Sequence, residues 1–158
     1  MKKAILSLIL LLAISLSITG CKFEFNDTPQ ELTIFLPTMT LEQFNFDYLK
    51  IKCNSNDTVM IYDYDDMREL FNLADALVLT KSHEGHDLPK DFDYLCTVTF
   101  FRQGINGRPD ASYYFYVSTT GEICYRRQRL AASDVYYKAE STAILNEVNR
   151  LIELYNQS

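Results

Sequence analysis

The sequence predicts an α+β domain: one antiparallel sheet of about five to six strands with two amphipathic helices, one of them long and C-terminal. Three observations carry this expectation. Apolar residues alternate with polar ones in runs separated by turn-forming clusters, the mark of half-buried strands. In two other stretches the apolar residues recur at helical spacing. The order, strand, hairpin, helix, three-stranded meander, helix, segregates helices from strands and does not alternate them as a parallel sheet would.

Each element has its own signal. Leu32, Ile34 and Leu36 alternate before Pro37, which predicts a short opening strand ended by the proline. Tyr48 to Cys53 and Thr58 to Tyr62 flank Asn54-Ser55-Asn56-Asp57, a hairpin whose turn residues make local backbone hydrogen bonds. Asp63 offers an N-cap, and Asp65 and Asp66 fall in the first turn, where the helix dipole favours negative charge. Met67, Leu70, Phe71, Ala74 and Leu77 then give one apolar face, so a helix is expected over 64–77. Lys81 to Asp91, polar and holding Gly85 and Pro89, is expected to be a loop.

Leu95 to Gln103 and Ser112 to Ser118 read as strands joined by the long segment Gly104 to Asp110. If Thr119-Thr120-Gly121 is a three-residue loop with Gly121 at positive φ, Val117 opposes Ile123 and Phe115 opposes Tyr125 on one face. That register leaves Tyr114 and Tyr116 opposite Arg126 and Cys124 on the other. Ser133 is placed to cap the last helix, in which Ile144, Val148, Leu151, Ile152 and Tyr155 form the buried stripe.

Across 158 residues, 47% hydrophobic and 23% charged, the composition is that of an ordinary globular domain. With 15 basic against 21 acidic side chains and a formal charge of −6, the chain has no electrostatic footprint for phosphates, and no nucleic-acid partner is expected. The first twenty residues stand apart from this average. Lys2 and Lys3 precede a run from Ala4 to Ile18 built only of Ala, Ile, Leu and Ser. It is shorter than the roughly 20 apolar residues a spanning helix needs and suits an export signal.

The run ends in Ile18-Thr19-Gly20-Cys21, which resembles the lipobox of bacterial lipoproteins: an aliphatic residue, two small residues, then cysteine. The resemblance implies diacylglyceryl transfer to the Cys21 thiol and cleavage before it. It also implies lipid anchoring outside the cytoplasm, at a bacterial cell membrane or outer membrane. Two or more acyl chains hold a protein durably where one does not. The expected organisation is a signal over 1–20, a lipidated cysteine and tether over 21–30, and a single domain over 31–158. Removing residues 1–20 takes away two lysines and no acid, leaving 138 residues with 13 basic and 21 acidic groups, a formal −8. Such a domain gains nothing from anionic headgroups, so the lipid alone would hold it.

No cofactor is expected besides that covalent lipid. Cys53, Cys96 and Cys124 are widely spaced and include no Cys-x-x-Cys pair. They read either as buried small hydrophobes or as one disulfide with one free thiol. His83 and His86, with Glu84, Asp87, Asp91 and Asp93 nearby, are weak metal candidates, because the order is not His-Glu-x-x-His and Gly85 and Pro89 oppose a helix. Asp57, Asp63, Asp65 and Asp66 lack the spacing of a calcium loop, and turn formation and capping account for them. No Ser, His and acid constellation and no phosphate-cradling glycine loop is present, and no catalytic residue is assigned.

The distinctive internal feature is aromatic: residues 92–137 hold 11 of the 21 Phe and Tyr. Alternation sends half of Tyr113-Tyr114-Phe115-Tyr116 to each face, and Tyr114, Tyr116 and Arg126 are the candidate interaction surface, since Tyr and Arg are enriched at protein interfaces. The alternative is that both faces are covered and that Arg126, Arg127 and Arg129 merely balance charge. The expected role is therefore a membrane-anchored, non-enzymatic binding domain with an undefined protein or small-molecule partner. The alternatives are a metal-handling or small hydrolytic domain at His83 and His86, and a purely structural envelope lipoprotein.

Overall fold

The computed structural model describes residues 30–35, 39–55, 57–104, 109–128 and 133–156. The expected signal, Cys21, the tether up to Pro29, Pro37, Gly107 and Arg129 lie outside the described residues. No helix among the described residues is long and apolar enough to cross a membrane.

The class is α+β, with one open antiparallel sheet, but the sheet has eight strands and not five to six. In chain order these are β1 (Glu31–Leu32), β2 (Tyr48–Cys53), β3 (Thr58–Ile61), β4 (Leu79–Gly85), β5 (Tyr94–Gln103), β6 (Pro109–Ser118), β7 (Glu122–Arg127) and β8 (Asp134–Glu140). They lie in the order β1-β4-β8-β7-β6-β5-β2-β3. Three helices are described: α1 (Leu41–Phe44), α2 (Tyr64–Asp75) and α3 (Thr142–Asn156), the C-terminal one being the longest.

The β2–β3 hairpin has the expected partners, Leu49 opposite Ile61 and Ile51 opposite Val59. The β6–β7 register is also as expected: Val117 faces Ile123, Tyr116 faces Cys124, and Gly121 has a φ of 89°. At α2, the Asp63 carboxylate accepts from the backbone N–H groups of Asp65 and Asp66 at 3.0 Å, and Met67, Leu70, Phe71 and Ala74 are buried.

Three expectations are corrected. Only Glu31 and Leu32 join the sheet at the start of the domain, because Ile34 and Phe35 are consecutive and both buried, which an alternating strand cannot achieve. The expected loop from Lys81 is in its first part strand β4, paired with β8. Its polar residues are tolerated because one face of that strand is not core. Ser133 caps no helix. Asp134–Glu140 is β8, and Ser141 starts α3 instead, its Oγ accepting from Ile144 N–H at 3.2 Å. Helix α1 has no counterpart among the sequence expectations, although Thr40-x-x-Gln43 carries a capping-box pattern: Thr40 N–H donates to Gln43 Oε1 at 2.8 Å.

All three helices bury their apolar sides in one cluster on one face of the sheet, against Leu49, Ile51, Val98, Phe100, Phe115, Val117, Val135 and Tyr137. An aromatic knot centres on Phe35, whose ring lies 4.3 Å from Phe71, 5.4 Å from Phe100 and 5.5 Å from Tyr113, centroid to centroid. Such offset and edge contacts add to the area each ring buries. A polar clamp ties α2 to α3: Asp66 accepts from Arg150 at 2.6 Å and from Tyr155 at 2.7 Å, and Arg150 also holds the buried Glu147.

Candidate functional site

The opposite face of the sheet has no helix on it among the described residues. Pleating fixes its composition, since residues directly opposite across an antiparallel ladder share a face. One row runs Thr58, Lys52, Thr97, Tyr116, Cys124, Lys138 and Thr80 across seven strands. A second begins Met60, Lys50, Thr99 and Tyr114, and resumes through Arg126, Tyr136 and His83. A third joins Tyr48, Phe101 and Ser112.

The three residues expected to form a surface are together here. Arg126 Nε donates to the Tyr114 hydroxyl at 3.0 Å, and the guanidinium carbon lies 5.8 Å from the Tyr114 ring centroid. The Tyr114 and Tyr116 rings meet edge to face at 5.8 Å, and Tyr94 meets Tyr116 at 6.2 Å. Tyr114 and Tyr116 are half-buried, and the Arg126 side chain keeps 26% exposure. Burial, the largest single influence, opposes the Arg126 charge, but the hydrogen bond to Tyr114 together with the neighbouring Tyr114, Tyr116 and Tyr136 hydroxyls outweighs it, and the guanidinium holds its proton more tightly than usual. Burial pushes the Tyr116 hydroxyl up to about 12. The trio thus offers neutral hydroxyls, ring faces and a fixed positive charge, which suits recognition through contacts and hydrogen bonds.

At the β2–β3 side, Tyr62, Tyr48 and Phe101 form an aromatic row, with centroids 5.7 Å and 5.0 Å apart and the last pair stacked. Tyr62 is 67% exposed. Although the chain has 21 acids, the residues that these three rows draw from β2, β3, β5 and β6 are aromatic, Thr, Ser, Met or Lys. Lys50 and Lys52 give this half a positive character. The sequence expectation missed this half, although the alternation Tyr48, Lys50, Lys52 on β2 was visible. Only when β5 pairs with β2 does it become continuous with Tyr114.

The β4–β8 side is partly roofed by the segment after β4. Phe92, Cys124 and Tyr136 form a second buried cluster with Leu88, Tyr94 and Tyr116 packed against it. His83 and His86 line one pocket of about 390 Å³ with Asp87, Lys90, Asp91 and Lys138. The His83 ring stacks on Tyr136 at 4.6 Å and 12°, and its Nε2 donates to the Asp87 carbonyl at 3.2 Å. The Tyr136 hydroxyl donates to the His86 carbonyl at 3.1 Å. Lys138 pairs with Glu122 and lies 3.6 Å from Asp91. These contacts use the histidine segment to brace the roof. Among the described residues, no three His, Cys, Asp or Glu side chains gather as metal ligands would.

The four acids weighed for calcium have partners of their own. Asp57 accepts from Ser55 at 2.7 Å, Asp63 caps α2, Asp65 pairs with Arg68 and Asp66 with Arg150. Compared with models of known protein families, with curated proteins and with solved structures, the chain finds no match.

Proposed function

We propose that this chain is a lipid-anchored extracytoplasmic protein whose domain binds, without catalysis, a protein partner of acidic surface through the face of its sheet opposite the three described helices. The anchor rests on Ile18-Thr19-Gly20-Cys21 and the apolar run before it. The binding role rests on one observation above all: on the face opposite the described helices, the paired rows from β3 to β6 bring together Tyr48, Phe101, Tyr114, Tyr116, three threonines and Lys50 and Lys52, in a chain with an excess of acids. Tyr supplies large contact area at low entropy cost, Arg is enriched among the residues that dominate binding, and basic side chains at the rim steer an oppositely charged partner. This gives Tyr114, Tyr116 and Arg126 a role as the half-covered centre of the patch, with Tyr48, Tyr62 and the two lysines as its open flank.

Two experiments separate the anchor from the binding. Cys21→Ala is expected to move the protein from the membrane fraction to the medium or the periplasm, and retention on membranes would overturn the anchor. Lys50→Glu with Lys52→Glu is expected to leave anchoring intact while abolishing recovery of the partner in pull-downs at low salt. Unchanged recovery would overturn the binding face.

A further inference from the structure

Three internal cysteines allow three pairings, and strand register leaves one. Cys53 ends β2 and lies directly opposite Cys96 on β5. Cys96 belongs to the helix-side core and Cys53 packs against that same core, whereas Cys124 belongs to the cluster on the other face. The sheet itself therefore separates Cys124 from the other two. All three are free thiols in this structure.

The local hydrogen bonds define what kind of pair Cys53 and Cys96 make. Cys53 N–H donates to the Asp57 carbonyl, away from β5, at 2.8 Å, and the next residue, Asn54, donates to the Leu95 carbonyl at 2.9 Å. Cys53 and Cys96 are thus a non-hydrogen-bonded pair, in which the side chains approach most closely and the Cα atoms lie about 4.5 Å apart. A disulfide requires a Cα separation of about 4.4–6.8 Å. The pair also sits where the backbone can adjust: Asn54 begins a turn, and a register irregularity falls between Tyr94 and Cys96.

We infer that Cys53 and Cys96 are a cross-strand dithiol that closes to a disulfide when it meets a thiol-disulfide oxidant, leaving Cys124 reduced. Cys53 is the entry point, being half-buried where Cys96 is fully buried. Its thiolate attacks one sulfur of the oxidant disulfide, and the other sulfur leaves as a thiol. The Cys96 thiolate then attacks the Cys53 sulfur of the mixed disulfide and expels the second oxidant thiol. Two electrons pass from the cysteine pair to the oxidant, and the two cysteine protons end on its two thiols. Burial, and secondarily Asp57, raise the Cys53 thiol above its usual range, and burial pushes Cys96 up to about 12, so closure speeds up with pH. The inference stands on strand register and does not depend on the anchor or the binding face.

The test uses the full chain carrying Cys21→Ala, incubated with glutathione disulfide, alkylated under denaturing conditions and digested with trypsin. The expected result is loss of two of three alkylatable thiols and a linked peptide pair, residues 53–68 with 91–102. Cys53→Ser is expected to block it and Cys124→Ser to leave it intact. Three alkylated thiols after oxidation, or a linkage that includes Cys124, would overturn the inference.

Discussion

The two faces of the sheet are made from the same strands and by the same alternation, yet they do different work. On the helix side Leu49, Ile51, Val98, Phe100, Phe115, Val117 and Ile123 are large apolar groups at zero exposure, locked by the aromatic knot around Phe35. On the other side, apart from Cys124 and Tyr136 buried under the roof, residues such as Lys50, Thr97, Thr99, Tyr114, Tyr116 and Arg126 are half-buried and joined by single hydrogen bonds such as Arg126 to Tyr114. The difference teaches that the main core lies on the helix face, with only the smaller cluster of Phe92, Cys124 and Tyr136 under the roof of the other, which leaves the β2–β6 part of that face free to vary its chemistry. Substitutions that respect or violate this division should therefore separate cleanly.

The largest effect is expected from Phe35→Ala. Removing a ring that touches five others should cost about 3–5 kcal/mol in urea unfolding. Gly121→Ala comes next. Gly121 has a φ of 89° and a Cβ there would lie 3.4 Å from the Ser141 carbonyl, so about 1–2 kcal/mol of strain is expected, read from the shift of the denaturation midpoint. Asp63→Ala removes the cap of α2 and should cost about 1 kcal/mol, with loss of helical ellipticity.

The clamp between α2 and α3 gives a smaller, pH-dependent effect. Burial alone would raise the Asp66 carboxyl, but the hydrogen bonds from Arg150 and Tyr155 outweigh it and hold the group below its usual value of 3.8. A carboxyl lowered in the folded state contributes stability in full above its unfolded pKa and loses it as pH falls through the folded value. Unfolding scans should thus show a loss of stability below about pH 4 that Asp66→Asn removes. The smallest change in stability, within about 0.5 kcal/mol, is expected for Lys52→Glu on the open face. A loss of several kcal/mol there would break the division between the faces.

Much of the fold could be read from local pattern. The β2–β3 hairpin, the cap at Asp63 and the β6–β7 register were legible because each depends on residues within one or two turns of one another. The strands that were missed depend on distant partners. β4 carries Lys81, Ser82 and His83 with a register irregularity, so its alternation is weak, and it forms because β8 pairs with it. β8 in turn, with Tyr136 and Lys138 on one face and Tyr137 and Ala139 on the other, reads as a strand once Ser133 is not taken for a cap.

The candidate site divides in the same way. Tyr114, Tyr116 and Arg126 follow from one hairpin, whereas their continuity with Lys50, Lys52 and Tyr48 needs β5 to pair with β2 across more than forty intervening residues. The histidines share a pocket, but their segment serves as a brace through Tyr136 and the Asp87 carbonyl, contacts that no spacing rule could announce.

The division between a helix face that holds the main core and a β2–β6 patch that binds makes one sharp prediction. It is tested most directly by placing a photo-crosslinking residue at Tyr48 on the open face or at Leu154 on α3, which is 50% exposed on the helix side. Both forms are irradiated in membranes of the producing cells. A discrete adduct is expected from position 48, lost when Lys52→Glu is added, and none from position 154. An adduct from position 154, none from position 48, or one at 48 that survives Lys52→Glu would contradict it.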